Sequence, residues 1–215
     1  MTESSSILSR KDIKGRLAEP DMAKRLFITP LIDDEQIGAV SIDLRLGNIF
    51  IVFKRTKFSG LDLLDQPQDV IQSRIQEFQE RVYVPLGEKL FLHPQQLVLG
   101  STLEYVRIPQ DLVAEVIGRS SWGRLGLILS AATLIHPGFA GVITLELANQ
   151  DDVPIPLIPG LRITQLVIRK TNADSNGKIQ KSKYLGTTEP TFSMLHLDSE
   201  LEALRKIVQE RKKQS

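Results

Sequence analysis

The chain contains no cysteine. That absence removes disulfides, thiolate metal ligands and cysteine nucleophiles together, and it fits a cytosolic protein. Histidine is scarce: His93, His136 and His196 lie far apart, and none sits in a metal motif such as H-E-x-x-H. A zinc deaminase needs His or Cys ligands in H-x-E and P-C-x-x-C patterns, so no zinc is expected. No apolar run approaches the roughly 18 residues of a membrane span, and "MTESSSILSRKDIKGRL" at the N-terminus lacks the apolar stretch of a secretory signal. An excess of one charge is missing too, since 27 Lys and Arg against 26 Asp and Glu leave a formal net charge of +1. A broad electrostatic surface for nucleic acid or membrane is therefore not expected, and any anion site is local.

What is present supports a packed core. The 215 residues are 41% hydrophobic and 25% charged, which suits one domain with appendages. Ser9 followed by Asp12 predicts a short capped helix over about 10–18. In "AVSIDLRLGNIFIVFK", Val40, Ile42 and Leu44 alternate with Ser41, Asp43 and Arg45, and a Gly-Asn turn precedes a second apolar strand. "DQPQDVIQSRIQEFQERV" has helical spacing and reads as an excursion from the sheets. From residue 83 onward, short β runs alternate with turn signals, which predicts a mainly β barrel or jelly-roll core with few helices. The expected division is a β domain with its N-terminal helix over 1–170, a polar arm over 171–197 and a C-terminal helix over 198–215. In that helix Ser199 and Glu202 have capping-box spacing, and Leu201, Leu204, Ile207 and Val208 share a face. It is either a solvated terminal helix on the body or a helix that docks a partner.

One window concentrates the polar chemistry: "GRSSWGRLGLILSAATLIHPGFAGVITLELANQ", residues 118–150. In "VITLELA", Ile143, Leu145 and Leu147 share a core face, and Val142, Thr144, Glu146 and Ala148 share the other. Glu146 is either a pocket carboxylate, its pKa raised by burial for general acid–base work, or a solvent-facing residue. In "GRSSWGRLG", the hydroxyls and backbone N–H groups of Ser120 and Ser121 suit phosphate oxygens, and Arg119 and Arg124 suit polyanions. The alternative is an ordinary capped turn. "HPGFAG" is a tight turn in which His136 either bonds a sugar hydroxyl or has no role.

The order of these elements resembles the dUTPase-like superfamily, and within it the dCTP deaminase family. The resemblance runs through "SIDLRLGN", "GRSSWGRLGL", "HPGFAGVITLELAN", "PIPLIPGLRITQLV" and "SKYLGTTEPTFS". It implies a distorted jelly-roll, a homotrimer with active sites between subunits, and zinc-independent deamination of dCTP to dUTP with release of ammonia. Glu146 then matches the general base that activates water, and Ser120 and Arg124 match the residues that orient that water and polarise the base. Arg119 and Ser121 match the phosphate turn, and Ala131 and Ala132 the segment facing the pyrimidine. Gln165 matches a glutamine near the nucleotide, and Lys183 and Tyr184 the arm that closes over the triphosphate. Magnesium is implied with the triphosphate, as is feedback by thymidine triphosphate (dTTP). His136 stands where many members carry an Asp that contacts the sugar, which favours a reaction that stops at dUTP. Thr187 stands where an arm Gln is frequent. The alternatives are a bifunctional enzyme continuing to dUMP and pyrophosphate, and a non-catalytic nucleotide-binding trimer.

Overall fold

Ser9 opens the first helix as expected. Its side chain accepts from the Asp12 N–H while Asp12 returns the bond, a capping box at the start of α1 (Arg10–Leu17). The computed structural model describes residues 6–58, 60–129, 134–171 and 186–214. Strands then dominate: β1 (Phe27–Thr29), β2 (Ile42–Arg45) and β3 (Ile49–Phe53) precede α2 (Gln68–Glu77). β4 (Gln79–Tyr83), β5 (Leu90–Leu92), β6 (Leu97–Arg107) and β7 (Leu112–Gly118) lead to the single turn α3 (Ser120–Gly123). After it come β8 (Leu127–Leu129), β9 (Leu134–Ile135), β10 (Ala140–Asn149), β11 (Ile155–Leu157), β12 (Arg162–Lys170) and α4 (Ser199–Gln214).

One sheet runs β4-β3-β6-β10-β8 with β1 also on β6; a second runs β2-β12-β7-β9; β11 and β5 form a third. Every pairing is antiparallel. Among the described residues the sheets are not closed into a barrel. Their apolar faces share one core, in which Leu44 of β2, Phe50 of β3, Leu145 and Leu147 of β10 and Leu166 and Ile168 of β12 are all fully buried. Each such side chain contributes roughly 1.5–3 kcal/mol by leaving water. The mainly β architecture with few short helices is thus the expected one.

Two expectations change. The helical excursion stops at Glu77, and the residues after it form the edge strand β4 against β3. Gln79 to Tyr83 follow a helical pattern only if Val82 is counted with it; paired with β3, the same residues satisfy their backbone on a neighbour. At the other end, the Glu202 N–H bonds the Asp198 carbonyl, so Asp198 and not Ser199 caps α4. Leu204 and Ile207 stand 53% and 47% exposed, and the docked face centres instead on buried Arg205, whose Nε donates to the Leu63 carbonyl at 2.8 Å.

The two large sheets are stitched by a buried carboxylate. Glu104 of β6 is fully buried. Its oxygens accept from the Arg45 N–H of β2 at 2.8 Å and from Gln36 Nε2 at 2.9 Å. Gln36 Oε1 in turn accepts from the Ile32 N–H at 2.7 Å, and Arg45 reaches the Gly160 carbonyl at 2.9 Å and Asp33 at 2.6 Å. Burial pushes the Glu104 pKa up, against hydrogen bonds that favour its ionised form.

This arrangement gives a stability prediction. Glu104→Gln sets an N–H against a donor, because the Gln36 amide cannot turn without losing its bond to Ile32; the expected cost is about 1–3 kcal/mol at neutral pH. With its folded pKa raised, native Glu104 holds a proton that the unfolded chain has released. Wild-type stability therefore falls as pH rises from the ordinary carboxylate value through the folded one, and is level above it. Urea unfolding between pH 4 and 8 should show the gap between wild type and variant widening as pH falls; a gap constant with pH would contradict this.

Candidate functional site

β7 ends at Gly118, which pairs with Thr164 of β12, and the chain then turns through extended Arg119 into α3. The turn is fastened to the start of β12. The Arg119 N–H donates to the Ile163 carbonyl at 3.2 Å, and Trp122 Nε1 donates to the Arg162 carbonyl at 2.9 Å. Gly126 completes the turn with φ +82°, and a Cβ there would lie 2.5 Å from Asp151 Cβ, so no other residue fits. Ser120, Ser121 and Arg124 are exposed. The first N–H groups of so short a helix have no intrahelical acceptor and stay available to a ligand.

Beside this turn lies a polar cluster centred on Asp43 of β2, whose side chain is only 12% exposed. Its Oδ1 accepts from Gln165 Nε2 at 2.9 Å, and its Oδ2 from Arg162 Nη1 at 3.3 Å. Arg119 Nη2 stands 3.9 Å from the same Oδ2. Residues three apart on a strand normally face opposite ways. Here the β12–β2 register shifts between Arg162 and Thr164, so that Arg162 faces Arg45 and Gln165 faces Asp43. The extra residue turns both side chains to one side. Gln165, expected near the nucleotide, thus spends its amide on Asp43. Asp43 and Arg162 were not picked out by sequence. The usable signal was Asp43 itself, an acid in a strand bounded by core residues.

Glu146 stands on β10 as the alternation required. Ile143, Leu145 and Leu147 are buried, and Glu146 is exposed on the opposite face. It makes no hydrogen bond or ion pair among the described residues. Its neighbours on that face are mixed: Leu99 lies directly opposite on β6, Thr144, two residues back, pairs with Ser101, and Ala148, two residues on, is flanked by Leu97 and Ile128, which are 40% and 45% exposed. The α3 turn is elsewhere. Gly118, which leads into it, faces Leu129 on the inner side of β8. Among the described residues no hydrogen bond or ion pair links Glu146 to Arg119, Ser120, Ser121 or Arg124, and Glu146 is exposed.

His136 is exposed in the turn after β9, where the Gly138 N–H bonds the Ile108 carbonyl at 3.0 Å. The chain returning from the arm reaches the same end of β10: the Gly186 N–H bonds the Ala140 carbonyl, and the Val142 N–H bonds the Thr187 carbonyl at 2.8 Å. Thr187 is thus a backbone anchor on the strand that follows the His136 turn. Ala131, Ala132, Lys183 and Tyr184 lie outside the described residues. No helix among the described residues is long and apolar enough to cross a membrane.

A family model described as dCTP deaminase-like matches residues 7–171. The chain belongs to the dCTP deaminase-like family. A "dCTP deaminase, dUMP-forming" of Dictyoglomus turgidum is 44% identical over 198 residues, covering 89% of this chain and 96% of that protein. A "dCTP deaminase" of Natronomonas pharaonis is 42% identical over 199 residues, covering 90% and 97%. The solved 2'-deoxycytidine 5'-triphosphate deaminase of Agrobacterium tumefaciens shares the fold at TM-score 0.57 and 23% identity, over 78% of this chain and 49% of that one. α4 lies beyond the residues that the dCTP deaminase-like model matches.

Asp43 and Glu35 both pair with Arg162, yet they should behave differently. Asp43→Asn leaves two guanidinium groups beside a neutral amide in a largely buried place, and should cost about 1–3 kcal/mol. Glu35 is 85% exposed at 3.7 Å, and Glu35→Gln should change stability by under about 0.5 kcal/mol. Urea midpoints of both variants measure the contrast; equal losses would mean that Asp43 does not organise the cluster.

Proposed function

We propose that the protein is a zinc-independent dCTP deaminase that converts dCTP and water to dUTP and ammonia in pyrimidine deoxynucleotide metabolism of the cytosol. The observation that carries this reading is Glu146, an unpaired carboxylate in the middle of a strand otherwise built for packing, in a chain of the dCTP deaminase-like family.

The site is completed by a second copy. Glu146 lies open on one chain, and Ile117 and Leu125, which flank α3, and Leu134 of β9 are 46%, 54% and 47% exposed. Large apolar groups left uncovered favour association. In the homotrimer we propose, the α3 turn of one subunit faces β10 of the next. Glu146 takes a proton from water as its oxygen attacks C4 of cytosine. Ser120 and Arg124 of the adjacent subunit stabilise the developing charge. Glu146 then returns the proton to the exocyclic amine, the C4–N bond breaks, and ammonia leaves. Arg119 and Ser121 hold phosphates, His136 bonds the sugar, and Ala131 and Ala132 line the base, with Lys183 and Tyr184 on the arm over the phosphates. Among the described residues no three His, Asp or Glu side chains are placed to hold a metal ion. Magnesium fits as a partner of phosphate oxygens and water, which its preference for hard ligands allows, and it would neutralise part of the triphosphate charge. The end product dTTP presents the same triphosphate and would compete for the same turn.

A second reading, continuation to dUMP and pyrophosphate, is favoured by the dUMP-forming relative, which is as similar as the dCTP deaminase. His136 in place of a carboxylate favours stopping at dUTP.

Incubation with dCTP and magnesium, with ammonia assayed and nucleotides resolved by ion exchange, should yield dUTP. Glu146→Gln should lower turnover by roughly 10²–10⁴ while nucleotide binding persists. Glu146→Gln and Arg124→Ala subunits, unfolded and refolded together, should regain activity at roughly a quarter of sites by random assortment, as subunits sharing a site require. Binding without turnover in the native protein would favour a nucleotide-binding trimer instead.

A further inference from the structure

The bulge in β12 brings Arg162 to the phosphate turn. Its side chain is 27% exposed, and its contacts leave most of it unspent. Nη1 bonds Asp43 at 3.3 Å, while Nη2 stands 3.7 Å from a Glu35 carboxylate that is 85% exposed. A pair of the second kind is screened by water and holds little. A guanidinium has five N–H donors, so Arg162 keeps several for a ligand.

Arg119 shares the same anchor and is held more loosely. At 3.9 Å its contact with Asp43 exceeds hydrogen-bond length, and its Nη1 reaches the Arg162 carbonyl at 3.4 Å. Two guanidinium groups thus gather on one oxygen of one carboxylate. The other oxygen is pinned by Gln165, so the carboxylate cannot rotate to serve them separately. The cluster of Arg119, Arg162 and Asp43 carries an excess positive charge in a half-exposed place, beside the exposed hydroxyls of Ser120 and Ser121. Paired guanidinium groups suit the adjacent oxygens of a polyphosphate.

The geometry assigns Arg162 to the phosphate chain of the substrate, together with Arg119, and makes Asp43 and Gln165 the positioning residues that hold the two guanidinium groups side by side. This rests on the reading of the α3 turn as the triphosphate turn.

Titration calorimetry with magnesium-dCTP, dCMP and inorganic tripolyphosphate tests it, in wild type and in Arg162→Leu, Arg162→Lys and Arg162→Gln. In Arg162→Leu the dissociation constants for dCTP and tripolyphosphate should rise about tenfold or more, while that for dCMP stays within about twofold. KM for dCTP should rise with kcat little changed, the signature of a contact equally strong in ground and transition states. If Arg162→Leu fails to fold, the other two variants decide. Arg162→Lys keeps the cation and should bind tripolyphosphate near the wild-type level; Arg162→Gln loses it and should bind about tenfold more weakly. Equal tripolyphosphate binding by those two, or equal loss of dCMP and dCTP in Arg162→Leu, overturns the assignment. The two failures are separable. A wild type that turns over no dCTP but loses tripolyphosphate on Arg162→Leu keeps the anion site and refutes the reaction. An Arg162→Leu enzyme with unaltered KM keeps the reaction and refutes the role of Arg162.

Discussion

Antiparallel pairing of β10 with β6 on one side and β8 on the other holds the candidate site in place. Both neighbours fix the same register, from Leu147 opposite Val98 to Leu147 opposite Leu129. A slip of one residue would turn Leu145 and Leu147 to solvent and drive Glu146 into the core, so the hydrophobic pattern enforces the register. The position of the carboxylate is therefore a by-product of burying three aliphatic side chains. A strand that packs this firmly offers a reacting group a rigid mount, since β6 pairs with it along most of its length and β8 with Leu147–Asn149.

The second sheet does the same for the phosphate turn by a different device. α3 is too short to hold itself and depends on backbone bonds to Arg162 and Ile163 at the start of β12. The bulge at that point spoils the regular ladder and in exchange turns Arg162 towards Asp43. Glu104 then couples the two sheets, because its oxygens join β6 to the backbone of β2 two residues from Asp43. Displacement of β2 would disturb both the buried carboxylate and the cluster beside the turn.

Local patterns carried the legible part. The Ser9 and Asp12 cap and the alternation in β10 are short-range signals, and each appears where the sequence placed it; the alternation expected around β2 does not hold, since Val40 is exposed outside the strand and Asp43 is buried between Ile42 and Leu44. What escaped was set by pairing across the chain. β4 follows a helical run with no break between them, and only the presence of β3 makes it a strand. Leu201, Leu204, Ile207 and Val208 were expected to share a face of α4; Leu204 and Ile207 stand exposed, and the helix turns Arg205 inward to the carbonyl of Leu63, 142 positions away. The role of Arg162 depends on one inserted residue in a ladder, which no periodicity reveals. The resemblance alone supplied Ser120, Arg124 and Glu146 as one site.

The proposed reading has a chemical consequence. On a lone chain Glu146 is exposed. Covering it with a second subunit removes water and strengthens every dipole aimed at it. The apolar residues around Glu146 favour that covering, and the same contact delivers Ser120 and Arg124 from the neighbouring α3. Association and acid–base competence then arise together from one surface. On that reading an unassembled chain would lack the charge-stabilising partners and the dry surroundings together.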